Sequence, residues 1–180
     1  MVSAAETLHG GTFTLMIRRK GVSDEYVIQS LLNWINSLGG AKFELKCDQE
    51  PALVEIRDIL IKLAKVERED PNDPKNRITE GATLIPYATL KGSKGSLGHA
   101  ERAHLSAGGM IRVLRLAIER DYGITVKPDD WFIPWLVRHA SWTNDKCQPK
   151  WSGMTSYQSR RGRAYHTPSF RFFRQSYTRS

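Results

Sequence analysis

Asp48 and Glu101 are the residues whose type and position best suit them to chemistry. Asp48 directly follows an alternating segment, residues 42–47, with Phe43 and Leu45 on one face. Glu101 is the only acid between Glu80 and Glu119, and it falls in the first turn of a helix that a Gly/Ser loop leads into. In α/β sheets, loops at the carboxyl ends of strands are where sites are assembled. Two acids converging there suit a divalent cation. Mg²⁺ favours carboxylate oxygens, and paired ions stabilise the entering and leaving oxygens of an in-line displacement at phosphorus. On spacing alone the plainer assignments come first: Asp48 as a turn residue, Glu101 as a partner of the helix dipole.

Other groups of residues are weaker. His99 and His104 are five apart and diverge around a helix, unlike the four-apart pair of a zinc protease, so polar-surface or structural roles come first. Gly92-Ser93-Lys94-Gly95-Ser96 lacks the Gly-Lys-Ser/Thr ending of a phosphate-binding P-loop, which argues against a nucleotide cofactor. It fits better as a loop before Glu101, where Lys91 and Lys94 can touch a phosphate backbone. Cys47 has no base partner in view and reads as a buried strand residue. Trp34, Trp131, Trp135 and Trp142 fall on helical apolar faces and read as core or oligomer interface.

The elements that must position these residues follow from periodicity. Residues 1–11 have none and read as a loose lead-in. Residues 12–17 are β-branched and apolar, a predicted strand. Ser23 suits an N-cap, with Asp24 and Glu25 in the first turn of a helix whose stripe is Tyr26, Val27, Leu31, Trp34, Ile35 and Leu38; Gly39-Gly40 ends it. The strand at 42–47 comes next, then Pro51 at the first position of a second amphipathic helix. Residues 67–77 are charged, carry Pro71 and Pro74, and read as a solvated loop. Residues 82–87 form a third strand candidate, and Pro86 confines it to an edge or a strand end.

The long helix to about Tyr122 carries Ala103, Ala107, Met110, Ile111, Leu114, Ala117 and Ile118 at spacings of three and four, and Gly123 stops it. A further helix is predicted from Pro128 to Trp142 and a short one over 155–161. Strands alternating with helices predict an α/β layer with partly parallel strands. Three strands make a thin sheet, which suggests that a part of it lies elsewhere.

Composition bounds the rest. At 180 residues, 40% hydrophobic and 26% charged, the chain is long enough for one domain with a core. No run approaches a membrane-spanning length, no secretory leader is evident, and two cysteines suit a reducing, intracellular compartment. The net charge of +8 is localised: eight of the basic residues and no acids lie in 146–180, leaving 19 basic and 19 acidic residues before them. That basic tail includes Tyr157, Tyr165, Phe170, Phe172, Phe173 and Tyr177. It can follow a phosphate backbone and stack bases, or be merely a sticky, disordered end.

Lys46-Cys47-Asp48-Gln49-Glu50-Pro51-Ala52-Leu53, the loop 92–98, and Ala100-Glu101-Arg102-Ala103 followed by Gly109-Met110-Ile111-Arg112 together resemble a retrotransposon-type integrase catalytic core. Pro134-Trp135-Leu136-Val137-Arg138-His139-Ala140 and the run from Met154 to Tyr165 resemble that family's downstream helix and post-core segment. The likeness spans residues 12–165 and lies in the order and combination of motifs. It implies a partial ribonuclease-H-like α/β fold, a small mixed sheet flanked by helices, with a core over 12–146 and a basic extension over 147–180.

The resemblance further implies that Asp48 and Glu101 are the second and third acids of a triad binding Mg²⁺ or Mn²⁺. DNA is the implied substrate, a homo-oligomer the implied assembly, and the nucleus the implied location of a functional integrase. The family's first Asp lies on an earlier strand; this chain offers only Glu6 upstream. Leu97 stands where a polar residue is usual, and the interval from Asp48 to Glu101 is long. Arg102, Lys91, Lys94, Arg160, Arg161 and Arg163 are the expected phosphate contacts. The expectation is therefore an integrase-like core fragment, inactive as this chain alone, or a non-enzymatic nucleic-acid-binding remnant.

Overall fold

A computed structural model describes residues 1–17, 25–64, 66–70, 73–87 and 98–166. It is a mixed α/β architecture in which six strands form three two-stranded sheets among the described residues. The elements in order are β1 (Val2–Ala5), β2 (Thr12–Leu15), α1 (Glu25–Ser37), β3 (Lys42–Lys46), α2 (Pro51–Ala64), β4 (Val66–Asp70), β5 (Asp73–Glu80), β6 (Thr83–Tyr87), α3 (Gly98–Tyr122), α4 (Ile133–Lys146) and α5 (Ser156–Arg161).

The apolar stripes of α1 and α2 dictate the main core. Val27, Ile28, Leu31, Leu32 and Ile35 of α1 meet Ile56, Leu60 and Ala64 of α2, and together they bury Phe13 and Leu15 of β2 and Leu84 of β6. One helical layer therefore lies over both the β1–β2 pair and the β3–β6 pair. At the far end of α1, Gly39 has φ +79°, a conformation that favours glycine and lets the chain turn back into β3. Tyr26, expected on the stripe, is exposed instead. In the second strand pair, β3 runs parallel to β6 through the α2 crossover, with Lys42 opposite Thr83 and Lys46 opposite Tyr87. Pro86 sits one residue from the end of β6, where its missing N–H does least harm.

Two segments differ from the sequence reading. Residues 2–5, read as a loose lead-in, form β1, antiparallel to β2 with Val2 opposite Leu15 and Ala5 opposite Thr12. Small residues pack there without an alternating signature, and the Glu6 N–H to Gly11 carbonyl bond at 2.8 Å closes the hairpin. Residues 67–70 and 73–77, within the segment read as a solvated loop, form most of the antiparallel β4–β5 pair. Its register sets Val66 opposite Glu80 and Glu69 opposite Arg77, with a shift between Glu69 and Asp70. Ser23, Asp24, Lys91, Lys94, Leu97 and the tail from 167 lie outside the described residues.

The other face of β1–β2 packs against α3 and α4. The outer edge of β2 is covered there: the Thr14 N–H donates to Ser141 Oγ at 2.8 Å, and Thr14 is fully buried. A helix side chain thus satisfies a backbone donor that would otherwise invite another strand. On the long helix only Ala103 and Ala107 of the predicted stripe are buried; Met110 onward is half-covered. Residues 147–166, expected as an extension, are folded onto the body. A Pro149–Thr155 bridge leads into α5, Thr155 caps its start by accepting from the Gln158 N–H, and buried Ser156 donates to the Gly10 carbonyl at 2.7 Å. Among the described residues no helix is long and apolar enough to cross a membrane.

Replacing Ser141 with Ala leaves the Thr14 N–H buried and unpaired, which should cost about 1–3 kcal/mol in urea denaturation. Unchanged stability would contradict the role given to this hydroxyl.

Candidate functional site

Parallel pairing puts the carboxyl ends of β3 and β6 at the same end of the fold, where Lys46 Nζ lies 4.3 Å from the Tyr87 ring centroid. Asp48 is in the short connection from β3 to α2. Its carboxylate accepts from the Gln49 N–H at 2.7 Å, and it is exposed. Glu101 is in the first turn of α3, also exposed. An open groove of about 820 Å³ runs between β1 and β3. Its walls include β3 as far as Lys46, two residues before Asp48, and His99 and Ala100, immediately before Glu101.

Neither Asp48 nor Glu101 lines that groove. Among the described residues no group of three or more His, Cys, Asp or Glu side chains could hold a metal ion. Glu6, the one acid upstream of β2, is occupied elsewhere: its carboxylate accepts from the backbone N–H groups of Leu8, His9 and Gly11 and shapes the β1–β2 turn.

The basic residues separate into two groups. Arg160, expected on a phosphate, is a correction: its side chain is 4% exposed, and Nη2 donates to both Asp145 oxygens at 2.7 and 2.9 Å. Lys146 Nζ lies 3.0 Å from the same carboxylate. Burial acts to raise the Asp145 carboxyl, but the hydrogen bonds and charges of Arg160 and Lys146 outweigh it and hold the group below its ordinary range. Arg160 thus locks α5 to the end of α4. Arg102, Arg161 and Arg163 are exposed, with Arg161 Nη2 donating to the Ser37 carbonyl at 2.9 Å.

Two predicted polar histidines prove to be ties or surface groups. His104 Nδ1 lies 3.0 Å from Ser3 Oγ, joining α3 to β1, and His99 is exposed at the groove. Cys47 is half-buried with its thiol pushed up chiefly by burial, although the Arg57 guanidinium opposes this at 3.9 Å; that is the opposite of an activated nucleophile.

The tryptophans were read as core or oligomer interface, and the structure divides them. Trp34 packs on Phe13 at 5.5 Å between ring centroids. Trp131 is 89% exposed and Trp135 about half exposed. Trp135, His139 and Trp142 stack along α4 at 4.8 and 5.6 Å, and Tyr165 meets Trp142 edge-on. Burial pushes the His139 imidazole below its ordinary value, which disfavours the charged ring in this stack. The i, i+4 spacing of Trp135 and His139 was a visible signal of this ladder; the lack of a covering element was not.

A carboxyl held below its ordinary value stabilises the fold above that value and loses this contribution as pH falls through it. Stability should therefore decline in acid below about pH 4, the ordinary carboxylate range. Asp145→Asn, which leaves Arg160 buried without its counter-charge, should cost about 3–5 kcal/mol at pH 7 and flatten that acid decline. Thermal or urea unfolding from pH 2 to 8 measures both effects, and an equally steep acid limb in the variant would contradict the assignment.

Comparison with family models, with curated proteins and with solved structures found no match for this chain.

Proposed function

We propose that this chain is an integrase-like core of the ribonuclease-H-like class that engages nucleic acid and does not complete phosphodiester chemistry by itself. The observation that carries this is the shared groove. The strand ending just before Asp48 and the helix turn just before Glu101 are two walls of it. An Asp after a strand, a small-residue loop and a helix bearing a Glu is the order on which the resemblance rests. Mg²⁺ or Mn²⁺ would take oxygen ligands from Asp48 and Glu101 only if a third donor came from outside the described residues. Two exposed carboxylates without it hold divalent ions weakly, and without those ions nothing offsets the negative charge of the acids and the substrate phosphates.

Nucleic-acid contact falls to Arg102, Arg161 and Arg163, to Lys91 and Lys94, and to the basic residues beyond 166. Exposed Trp131 and Trp135 add faces on which bases can stack. This surface also favours the second reading, a binding remnant of a retroelement polyprotein with no chemistry of its own. Assembly as a homo-oligomer belongs to the first reading.

The full chain should bind a duplex or single-stranded DNA oligonucleotide with an affinity that falls steeply with salt. Arg161→Glu with Arg163→Glu should weaken it and lower the log–log salt slope by about 1–2. Cleavage of the same DNA with Mg²⁺ or Mn²⁺ should stay at background. Salt-insensitive or absent binding would overturn the nucleic-acid reading. Robust cleavage lost in both Asp48→Asn and Glu101→Gln would overturn the incomplete site and make the chain an active nuclease.

A further inference from the structure

We infer that the groove between β1 and β3 is a receptor for one extended peptide strand supplied in trans, which pairs with both flanking strands at once. The inference stands on backbone geometry and does not depend on the chemistry proposed above.

Ladder alternation shows which backbone groups face the groove. Glu6 bonds across to Gly11, so pairs alternate from there, and Ala5 and Ser3 turn their N–H and C=O groups away from β2. On the other side Thr83 donates to the Ala41 carbonyl, so Lys42, Glu44 and Lys46 turn theirs away from β6. All five of these residues line the groove, whereas no residue of β2 does and β6 contributes only Leu84. Among the described residues β1 pairs only with β2 and β3 only with β6. Two open edges of four and five residues therefore border one channel, while the outer edge of β2 is covered by Ser141.

Buried donors on side chains that line the channel give a second, independent indication. Trp34 Nε1 and Arg160 Nε and Nη1 are buried without a hydrogen-bond partner among the described residues, and both side chains line the groove. A buried unpaired donor is costly, and each of these three calls for an acceptor. An extended segment brings a row of carbonyl oxygens. Ile35, Leu38, Phe43, Leu45 and Leu84 on the walls ask for apolar side chains at alternate positions. Lys42, Lys46 and Arg160 on the walls outnumber Glu6 and Glu44 and favour an acid or a free carboxylate at one end of the strand. That charge argues against the basic segment beyond residue 166, which carries Arg171, Arg174 and Arg179 and no acid. The occupant is thus an alternating apolar/polar strand with an acidic end, bound by β-augmentation from both sides.

The test titrates the full chain with a panel of synthetic peptides in which Ile or Val alternates with Thr and one Asp stands at either end. Each is paired with a control carrying two prolines at Thr positions. Binding by calorimetry, with amide exchange slowed at Ser3 and Ala5 and also at Lys42 and Glu44, is the expected result. The proline controls should bind at least about tenfold more weakly, because they cannot donate to a ladder. Trp34→Phe, which keeps an aromatic ring at that position and removes the N–H, should bind about threefold to tenfold more weakly with an unchanged circular dichroism spectrum.

No binding by any peptide in the panel would overturn the inference. So would equal binding of the controls, protection along one edge only, or undiminished affinity of Trp34→Phe. Slow exchange of those four amides in the unliganded chain would also overturn it. If that slow exchange grows with protein concentration it identifies a second copy as the occupant; if it is independent of concentration, it identifies a segment of the same chain.

Discussion

Every strand brings two rows of backbone hydrogen-bonding groups, and a two-stranded pair can satisfy only the inner ones. How this chain deals with the outer rows determines most of what it looks like. The β1–β2 pair closes one outer row with the Ser141 hydroxyl on α4 and leaves the other facing the groove. The β3–β6 pair leaves the groove-facing row of β3 open as well. What holds the two pairs in place is the apolar layer of α1 and α2, which packs over both and buries Phe13, Leu15 and Leu84 in one cluster. The groove is thus an outcome of side-chain burial keeping together what backbone pairing among the described residues does not join.

The carboxyl-terminal part of the described chain reinforces this arrangement at one end. Arg160 reaches from α5 to Asp145 in the last turn of α4, Arg161 reaches the Ser37 carbonyl at the end of α1, and Ser156 reaches Gly10 in the β1–β2 turn. A buried ion pair is weak evidence for stability, since desolvation of both charges opposes their attraction. Its better-attested contribution is to fix a register, and here it sets α5 against the turn that follows β1. Two further nitrogens of the same guanidinium are buried without a partner among the described residues, on a side chain that also lines the groove.

Amphipathic elements were legible in the sequence because burial follows their period. The stripe of α1, the proline that opens α2, the placement of Pro86 near a strand end, and the glycine after Tyr122 all follow local rules that the fold does not override. β1 was not legible because Val2, Ser3, Ala4 and Ala5 carry neither bulk nor alternation, and their conformation comes from pairing with β2. β4 and β5 escaped notice because a charged, proline-bearing segment reads as a loop, whereas their backbones pair as strands. Arg160 looked like surface charge because its partner Asp145 lies on another helix, a relation that no spacing rule predicts. Trp131 and Trp135 have the spacing of buried residues, yet no described element covers them. For the candidate site, the position of Asp48 after a strand and of Glu101 at a helix start was legible. The shared groove was not, since it depends on how α3 crosses β1.

The central claim is that β1 and β3 face one another across a channel with their inner backbone groups unpaired. Residue-resolved hydrogen exchange on the unliganded full chain at low concentration addresses it most directly. The account predicts slow exchange for Thr14, whose amide is buried against Ser141, and exchange near the solvent-exposed rate for Ser3, Ala5 and Glu44. Protection of these three matching that of Thr14 would mean that the edges are already paired, and would contradict it.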